Sequence, residues 1–176
     1  MQVQLLLCKS YAQFPHQIIL IDAATKISSL GLANEEAAAA QKFFDEKVNH
    51  IFQLAGAESS LSLVKIDTSK EEYKSLEAAR KAGNAINKFL NSKKIAEASV
   101  FNASRKIKLT AAFAEGLALS NYEFLKYKTK DKKEKSLTTL QVDSKSCDKK
   151  TLEEISKIVS ANFFTRAHLS MSRFHI

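Results

Sequence analysis

The stretch Ala111-Ala-Phe-Ala-Glu-Gly-Leu-Ala-Leu-Ser-Asn-Tyr-Glu-Phe-Leu-Lys-Tyr-Lys-Thr129 decides the fold of this chain. It begins as a nearly all-apolar segment, ends in the aromatic residues Tyr122, Phe124 and Tyr127, and leads directly into a lysine-rich segment. A helix that is apolar on most sides is buried by neighbours on more than one face. The stretch therefore predicts a central helix around which the other elements pack.

Strand-like and helix-like patterns alternate along the rest of the chain. His16–Asp22 holds four consecutive apolar residues, which is typical of a strand buried on both faces at the centre of a sheet. Strands are expected at Gln2–Cys8, His16–Asp22, Ile51–Leu54, Ser60–Ile66, Glu97–Asn102 and Ser136–Val142. Helices are expected at Asn34–Val48, from Asp67–Ser69 onward, from Ser104 through Ala118, and from Lys149 or Thr151 to Arg166. This order predicts an α/β fold with helices on both faces of a sheet.

Local signals predict how some of these helices begin and pack. Asn34 is expected as the N-cap of the first helix, and Ser104 as the cap of the central one. Gly83 lies in an apolar stripe and predicts a close approach of its helix to the sheet. The stripe consists of Leu76, Ala79, Gly83, Ile86 and Leu90, and the expected inner face of the last helix consists of Leu152, Ile155, Ile158, Val159, Asn162 and Phe163.

The composition fits one ordinary domain. The chain has 176 residues, of which 45% are hydrophobic and 26% charged, and no glycine- or proline-rich linker divides it. No apolar run reaches the roughly 18 residues of a membrane span, and the start lacks the pattern of a signal peptide. The two isolated cysteines are typical of reduced thiols. We therefore expect a cytoplasmic protein without membrane contact.

Residue chemistry indicates no catalytic centre, cofactor site or metal site. Phosphate-binding loops need clustered glycines and zinc sites need closely spaced ligands, and neither pattern occurs. Cys8 lies in an apolar strand, which favours core packing over a nucleophilic role. Glu115 interrupts an apolar helix, and a structural hydrogen bond, to backbone or to a tyrosine, is favoured over catalysis.

A basic segment leaves nucleic-acid binding as an alternative. The net charge is +8, and one dense lysine cluster follows the central helix. Such a loop is more often simply solvated, and the three aromatic residues ahead of it more often close the edge of a core than stack on bases. The candidate nucleic-acid contacts are Lys126, Lys128, Lys130, Lys132, Lys133 and Lys135.

The order of several motifs resembles the N-terminal domain of the leucyl (cytosol) aminopeptidase family. Glu115-Gly116-Leu117 is followed by Tyr122, Phe124, Tyr127 and Lys128, as in the family pattern Glu-Gly, then Tyr-x-Phe-x-x-Tyr-Lys. The last helix, ending Ala161-Asn-Phe-Phe-Thr-Arg166, resembles the family's connecting helix. The resemblance is good from about Leu76 to Arg166. It implies a mixed sheet sandwiched by helices, similar to macro domains.

The resemblance stops after Arg166, where the family pattern continues Asp-Leu-Val-Asn-Glu-Pro. This chain has Ala167-His-Leu-Ser-Met-Ser-Arg-Phe174. Codons chosen for the segment from His168 to Arg173 as CAC TTG TCA ATG AGC CGT read Leu-Val-Asn-Glu-Pro from their third base. We therefore expect a non-catalytic domain at 1–166, an out-of-family tail at 167–176, and a frameshift or truncation near Ala167, which sequencing of the source DNA tests.

The resemblance also implies a parent enzyme with partners and metals. The parent would be a hexameric aminopeptidase that removes N-terminal residues such as leucine. Its two divalent metals, zinc or manganese, would be held by a C-terminal catalytic domain, so no metal or catalytic residue is carried over to this chain. The implied partners are that domain and the other subunits, and in some bacterial relatives DNA. A macro-like binder of ADP-ribose is a further alternative, which the scattered glycines disfavour.

Overall fold

The structure is a computed structural model that describes residues 2–46, 50–56, 58–104, 106–123 and 135–172. Strands and helices alternate as predicted. The strands are β1 (Gln4–Cys8), β2 (His16–Ile21), β3 (Ile51–Ala55), β4 (Ser60–Lys65), β5 (Glu97–Asn102) and β6 (Thr139–Asp143). The helices are α1 (Asn34–Asp45), α2 (Glu72–Ser92), α3 (Lys108–Ser120) and α4 (Lys149–Ser172). None of the helices in these ranges has the length and apolar character needed to cross a bilayer.

The six strands form one mixed sheet in the order β1-β6-β5-β2-β4-β3. Neighbouring strands are parallel except for β3, which pairs with β4 in the antiparallel sense. The prediction that β2 is central is confirmed, because it lies between β4 and β5 and its residues from Ile18 to Ile21 are buried. A run of apolar residues forms this strand because both of its faces meet helices.

Alternate residues of β2 serve two separate cores. Ile18 and Leu20 join the larger apolar cluster, which the helices α2, α3 and α4 cover. Ile19 and Ile21 join the smaller one, together with Phe44 of α1. The expected sandwich of a sheet between two helical layers is therefore confirmed, with three helices on one side and one on the other.

The central position of α3 is also confirmed. Its residues from Ala112 to Ala114 and Leu117 to Ala118 are buried, and it contacts α2, α4 and β5. A helix with this many neighbours has no solvent face wide enough for charged residues. This explains why the stretch from Ala111 to Leu119 is nearly all apolar.

Three expected helix signals are placed differently. Ala33, not Asn34, is the N-cap of α1, and its N–H donates to the Glu36 carboxylate at 3.2 Å. Ser104 lies four residues ahead of α3, and its hydroxyl donates to Asn102 Oδ1 at 2.7 Å. Asp67 closes a turn five residues ahead of α2 by accepting from the Ser69 N–H at 3.0 Å and hydroxyl at 2.6 Å. At Ser104 and Asp67 a polar side chain takes part in a turn before the helix starts, whereas at α1 the Glu36 side chain, within the first turn, caps the Ala33 N–H.

Gly83 approaches a helix rather than the sheet. A Cβ added at Gly83 would overlap the Phe113 carbonyl oxygen and lie 2.7 Å from the Leu117 nitrogen, both on α3. A Cβ added at Gly116 would in turn overlap the Arg80 carbonyl oxygen on α2. The prediction of a close approach holds, but its partner was wrong, because α2 packs against α3 as well as against the sheet.

We expect Gly83→Ala or Gly116→Ala to lower the free energy of unfolding by about 1–3 kcal/mol, because a methyl group would force the two helix backbones apart. The steric cost of the overlap outweighs the gain of about 1 kcal/mol in helix propensity that alanine brings. Urea titration measures the change in the free energy of unfolding. Asn84→Ala, at an exposed position of the same helix, is the matched control and should be neutral or slightly stabilising. Equal stability of Gly83→Ala and the control would contradict the close contact.

Candidate functional site

The predicted lysine cluster falls largely outside the described residues. Lys126, Lys128, Lys130, Lys132 and Lys133 lie in the range 124–134, which the structure does not describe. Lys135 is described and is half-buried. The nucleic-acid contact of these six lysines therefore stays a prediction.

Two asparagines, the half-buried Asn91 and the buried Asn121, fix both flanks of the lysine segment. The Asn91 side-chain oxygen accepts from the N–H groups of Ser136, at 2.7 Å, and Leu137, at 3.3 Å. The Asn121 amide donates to the Leu137 carbonyl oxygen at 3.1 Å, and the Asn91 amide donates to Asn121 Oδ1 at 3.2 Å. The end of α3 and the backbone at Ser136 and Leu137 therefore meet at one point, beside the end of α2.

Glu115 is paired with an arginine. Its carboxylate accepts from the Arg80 Nε–H at 2.8 Å, and the two side chains are 20% and 38% exposed. The structural role that we expected is confirmed, although the partner is neither backbone nor tyrosine. A carboxylate held by a guanidinium between two helices is a structural link and not a free base.

Tyr122 links the end of α3 to α4. Its ring meets Phe163 edge to face at 5.0 Å, and the Arg166 guanidinium lies 5.7 Å from the ring centre. Arg166 also donates to the Leu119 carbonyl oxygen at 3.4 Å. The expectation that Tyr122 closes the edge of the core is confirmed, whereas Phe124 and Tyr127 lie outside the described residues.

The carboxyl ends of parallel strands are where α/β folds usually bind ligands. Here the polar side chains at that edge form hydrogen bonds with nearby residues of the chain. Asp22 Oδ1 accepts from the Thr25 hydroxyl at 2.7 Å and the Ala24 N–H at 3.1 Å. The Asn102 amide donates to the Thr110 hydroxyl at 3.0 Å. These bonds shape the loops, and the polar side chains that they engage are held by the protein itself.

The two thiols are poorly suited to nucleophilic chemistry. Burial raises the pKa of Cys8, and the nearby Asp143 carboxylate raises it further. Burial likewise raises the pKa of Cys147, with a further contribution from Asp148. Cys8 is half-buried on the edge strand β1 and not fully in the core. Within the described residues, no group of three His, Cys, Asp or Glu side chains is arranged to hold a metal ion.

Helix α4 exposes large apolar side chains. Leu152, Ile155 and Val159 are buried as predicted, but Ile158 is 46% exposed and Asn162 is also exposed. Both were expected on the inner face, and the helical turn instead carries them to its flank. Ile158 and Leu169, which is 60% exposed, are eleven residues or about three turns apart and therefore lie on one side of the helix. Phe164 is exposed on another side.

Sequence reasoning missed a groove of about 570 Å³ between α2 and the edge strand β3. Its floor includes Ile51 of β3 and three alanines of α2, and lysines line its α2 side. The alanines, spaced four and three residues apart, are a helical stripe of small side chains that could have indicated the groove. They are Ala78, Ala82 and Ala85, and the lysines are Lys70, Lys74 and Lys81.

The comparisons with known proteins agree with the predicted resemblance. Residues 69–131 match the sequence model of the cytosol aminopeptidase family, N-terminal domain. This range runs from the turn before α2 through α3 and into the lysine segment. It covers the Glu115-Gly116 motif and the three aromatic residues. The recognition is therefore confirmed over this part of the chain. A comparison with curated protein sequences found no match.

Solved structures share the fold. A variant of tomato leucine aminopeptidase aligns with a TM-score of 0.64 and 15% identity, over 90% of this chain and 36% of that one. The bottromycin maturation enzyme BotP in complex with Mn aligns with a TM-score of 0.60 and 12% identity, over 87% of this chain and 31% of that one. A macrodomain variant from Oceanobacillus iheyensis aligns with a TM-score of 0.53 and 11% identity, over 89% of this chain and 92% of that one. The macro-domain-like fold is confirmed, and the chain spans about a third of the first two proteins.

We expect Asn91→Ala to lower the free energy of unfolding by about 1–3 kcal/mol, because the N–H groups of Ser136 and Leu137 lose their acceptor. Chemical denaturation measures the change. Asn84→Ala on the same helix again serves as control. If both variants unfold at the same denaturant concentration, the asparagine link does not hold the flanks of the lysine segment.

Both thiols should react slowly with an alkylating or disulfide reagent at neutral pH. A raised pKa leaves less thiolate, so the reaction rate should reach half its maximum above pH 8.5, about the value of an ordinary thiol. Stopped-flow measurements on Cys8→Ala and Cys147→Ala assign the two rates. A midpoint below about 7.5 for either thiol would reveal an activated nucleophile.

Proposed function

We propose that this chain is the non-catalytic N-terminal domain of a cytosolic metallo-aminopeptidase of the leucyl type, with a role in assembly or regulation. The match of residues 69–131 to the N-terminal domain of that family carries the proposal. The fold adds support, because the chain aligns with about a third of a leucine aminopeptidase and leaves the remainder of that enzyme unmatched.

The chemistry of the parent enzyme belongs to another domain in this proposal. The two divalent metals, zinc or manganese, sit in the C-terminal catalytic domain, where a metal activates the water that attacks the peptide bond. The described residues of this chain do not fit a metal centre, since no suitable group of ligands occurs among them. Glu115 is already paired with Arg80, and both thiols favour their protonated forms.

The assembly role is supported by the exposed side of α4. Ile158 is a large apolar side chain on one flank of a helix whose opposite flank is packed on the domain, and Leu169, in the tail that departs from the family pattern, lies on the same flank. Burying an exposed leucine or isoleucine contributes about 1.5–3 kcal/mol per side chain, so this flank favours a neighbour. We propose that the neighbour is the catalytic domain or another subunit of a hexamer.

The pure chain should not hydrolyse leucine p-nitroanilide in the presence of Mn²⁺. The physical reason is the lack of a metal-activated water, and the measurement is release of nitroaniline above a protein-free blank. Steady hydrolysis that co-purifies with the chain would overturn the non-catalytic assignment.

The assembly role has its own test. A photo-crosslinking amino acid at Ile158 or Leu169, introduced in the natural host, should form crosslinks to a polypeptide that carries a metallo-aminopeptidase catalytic sequence. Ile107, an apolar residue that is 63% exposed and lies immediately before α3, serves as the control position. Equal crosslinking from all three positions, or products without that sequence, would contradict the role of α4.

A further inference from the structure

The outer edge of β3 offers unpaired backbone groups. The Lys65 N–H donates to the His50 carbonyl oxygen at 2.8 Å, and the Gly56 N–H donates to that of Ser59, also at 2.8 Å. In an antiparallel pair, residues that bond to the neighbouring strand alternate with residues whose backbone points away from it. The groups of Phe52 and Leu54 therefore face β4, while those of Ile51, Gln53 and Ala55 point outward. In the described part of the chain no strand pairs with this edge.

This edge lacks the usual protection against strand pairing. Edge strands are normally blocked by prolines, charged residues or bulges. The sequence Ile51-Phe-Gln-Leu-Ala55 contains no proline, glycine or charged residue, and Gln53 and Ala55 are exposed. The other edge strand, β1, lies beside α4, to which the preceding Gln2 side chain is hydrogen-bonded. An extended chain therefore finds an open template at β3.

The groove would receive the side chains of an added strand. Ile51 lies on the same face of the sheet as its partner Val64, the face that α2 covers. A seventh strand beside β3 would point every second side chain toward α2. There the small residues Ala78, Ala82 and Ala85 leave the space of about 570 Å³. This volume falls in the range of ligand-binding clefts, about 300–1,000 Å³.

The lysines that line the groove favour an acidic occupant. Lys70, Lys74 and Lys81 line its α2 side and are more than half exposed. Each pairs with a carboxylate three or four residues away on its own segment, at 3.1, 3.0 and 4.0 Å in that order, and Lys74 also lies 5.5 Å from the Tyr73 ring centre. Two of these carboxylates, those of Asp67 and Glu77, line the groove as well. Such exposed pairs contribute no more than about 0.5 kcal/mol and exchange readily for other carboxylates. With a net charge of +8, the chain favours an acidic partner over a second copy of itself.

We propose that β3 and this groove bind an extended acidic peptide segment of another protein, which adds to the sheet as a seventh strand. Its backbone bonds to the outward groups of Ile51, Gln53 and Ala55. Small apolar side chains enter the groove, and carboxylates on the same side of the peptide meet the lysines. This is recognition by β-strand addition, in which main-chain bonds supply affinity and alternate side chains supply specificity. The inference does not rest on the aminopeptidase assignment.

The probe is a fluorescein-labelled peptide, Glu-Ser-Val-Ser-Val-Ser-Glu, whose glutamates and valines share one side of a strand. Fluorescence anisotropy with the full chain should show saturable binding that weakens as salt rises, because the contact is partly ionic. The same peptide with two N-methylated backbone amides should bind at least about tenfold more weakly. A lysine-for-glutamate version should also lose at least about tenfold.

Three variants separate the parts of the site. Gln53→Pro removes an N–H that points away from β4, so no bond to β4 is broken. Edge strands tolerate proline at such positions. Lys74→Glu combined with Lys81→Glu reverses the charge on the α2 side of the groove. Ala85→Leu, at an exposed position, fills the groove and replaces the proline variant if that variant fails to fold. Each should weaken binding at least about tenfold. Lys149→Glu, a lysine on α4 that is 82% exposed, is the charge control and should bind as the unmodified chain does.

Two results would overturn the proposal. The first is the absence of saturable binding of the probe, or binding that neither Gln53→Pro nor Ala85→Leu changes. The second is a dimer in light scattering that Gln53→Pro dissociates, because the edge would then pair with a second copy of the chain.

Discussion

The close contact of α2 with α3 is the constraint on which the rest of the structure depends. Gly83 and Gly116 let the two backbones touch, since any side chain at either position would overlap the opposite helix. At this separation the Arg80 side chain reaches Glu115 across the contact. Once α3 lies against α2, its remaining surface is covered by the sheet and by α4. An all-apolar helix is stable only in such surroundings.

Because the ends of α2 and α3 are brought together, the polar residues there link distant parts of the chain. Asn91 and Asn121 meet and bind the returning backbone at Ser136 and Leu137. Tyr122, one residue further on, packs on Phe163 and so positions α4. Among the described members of the fingerprint by which the sequence resembles the aminopeptidase N-terminal domain, Glu115, Gly116 and Tyr122 are thus packing and linking residues. Their structural roles agree with the function that we propose.

Much of the fold could be predicted from the sequence, and less of the surface. The order of strands and helices follows from periodicity, and the central place of β2 follows from its apolar run. Helix starts were less well predicted. Asn34, Asp67 and Ser104 all have side chains that can cap a helix, yet each lies one to four residues from the N-cap position. Asp67 and Ser104 are instead hydrogen-bonded within local turns. The groove beside β3 was missed altogether, because the alanine stripe lines a groove only where α2 lies beside an edge strand, and the strand order decides which strand is at the edge.

The sequence by itself determined the secondary structure, the buried character of α3 and the resemblance to a family domain, since these depend on patterns along one segment or on the order of motifs. Only the tertiary structure decided that Gly83 meets α3 instead of the sheet, that Glu115 pairs with Arg80, and that Ile158 faces away from the core. Each of these depends on which elements become neighbours across long stretches of chain. That choice is made by packing all the elements at once, so no single segment encodes it.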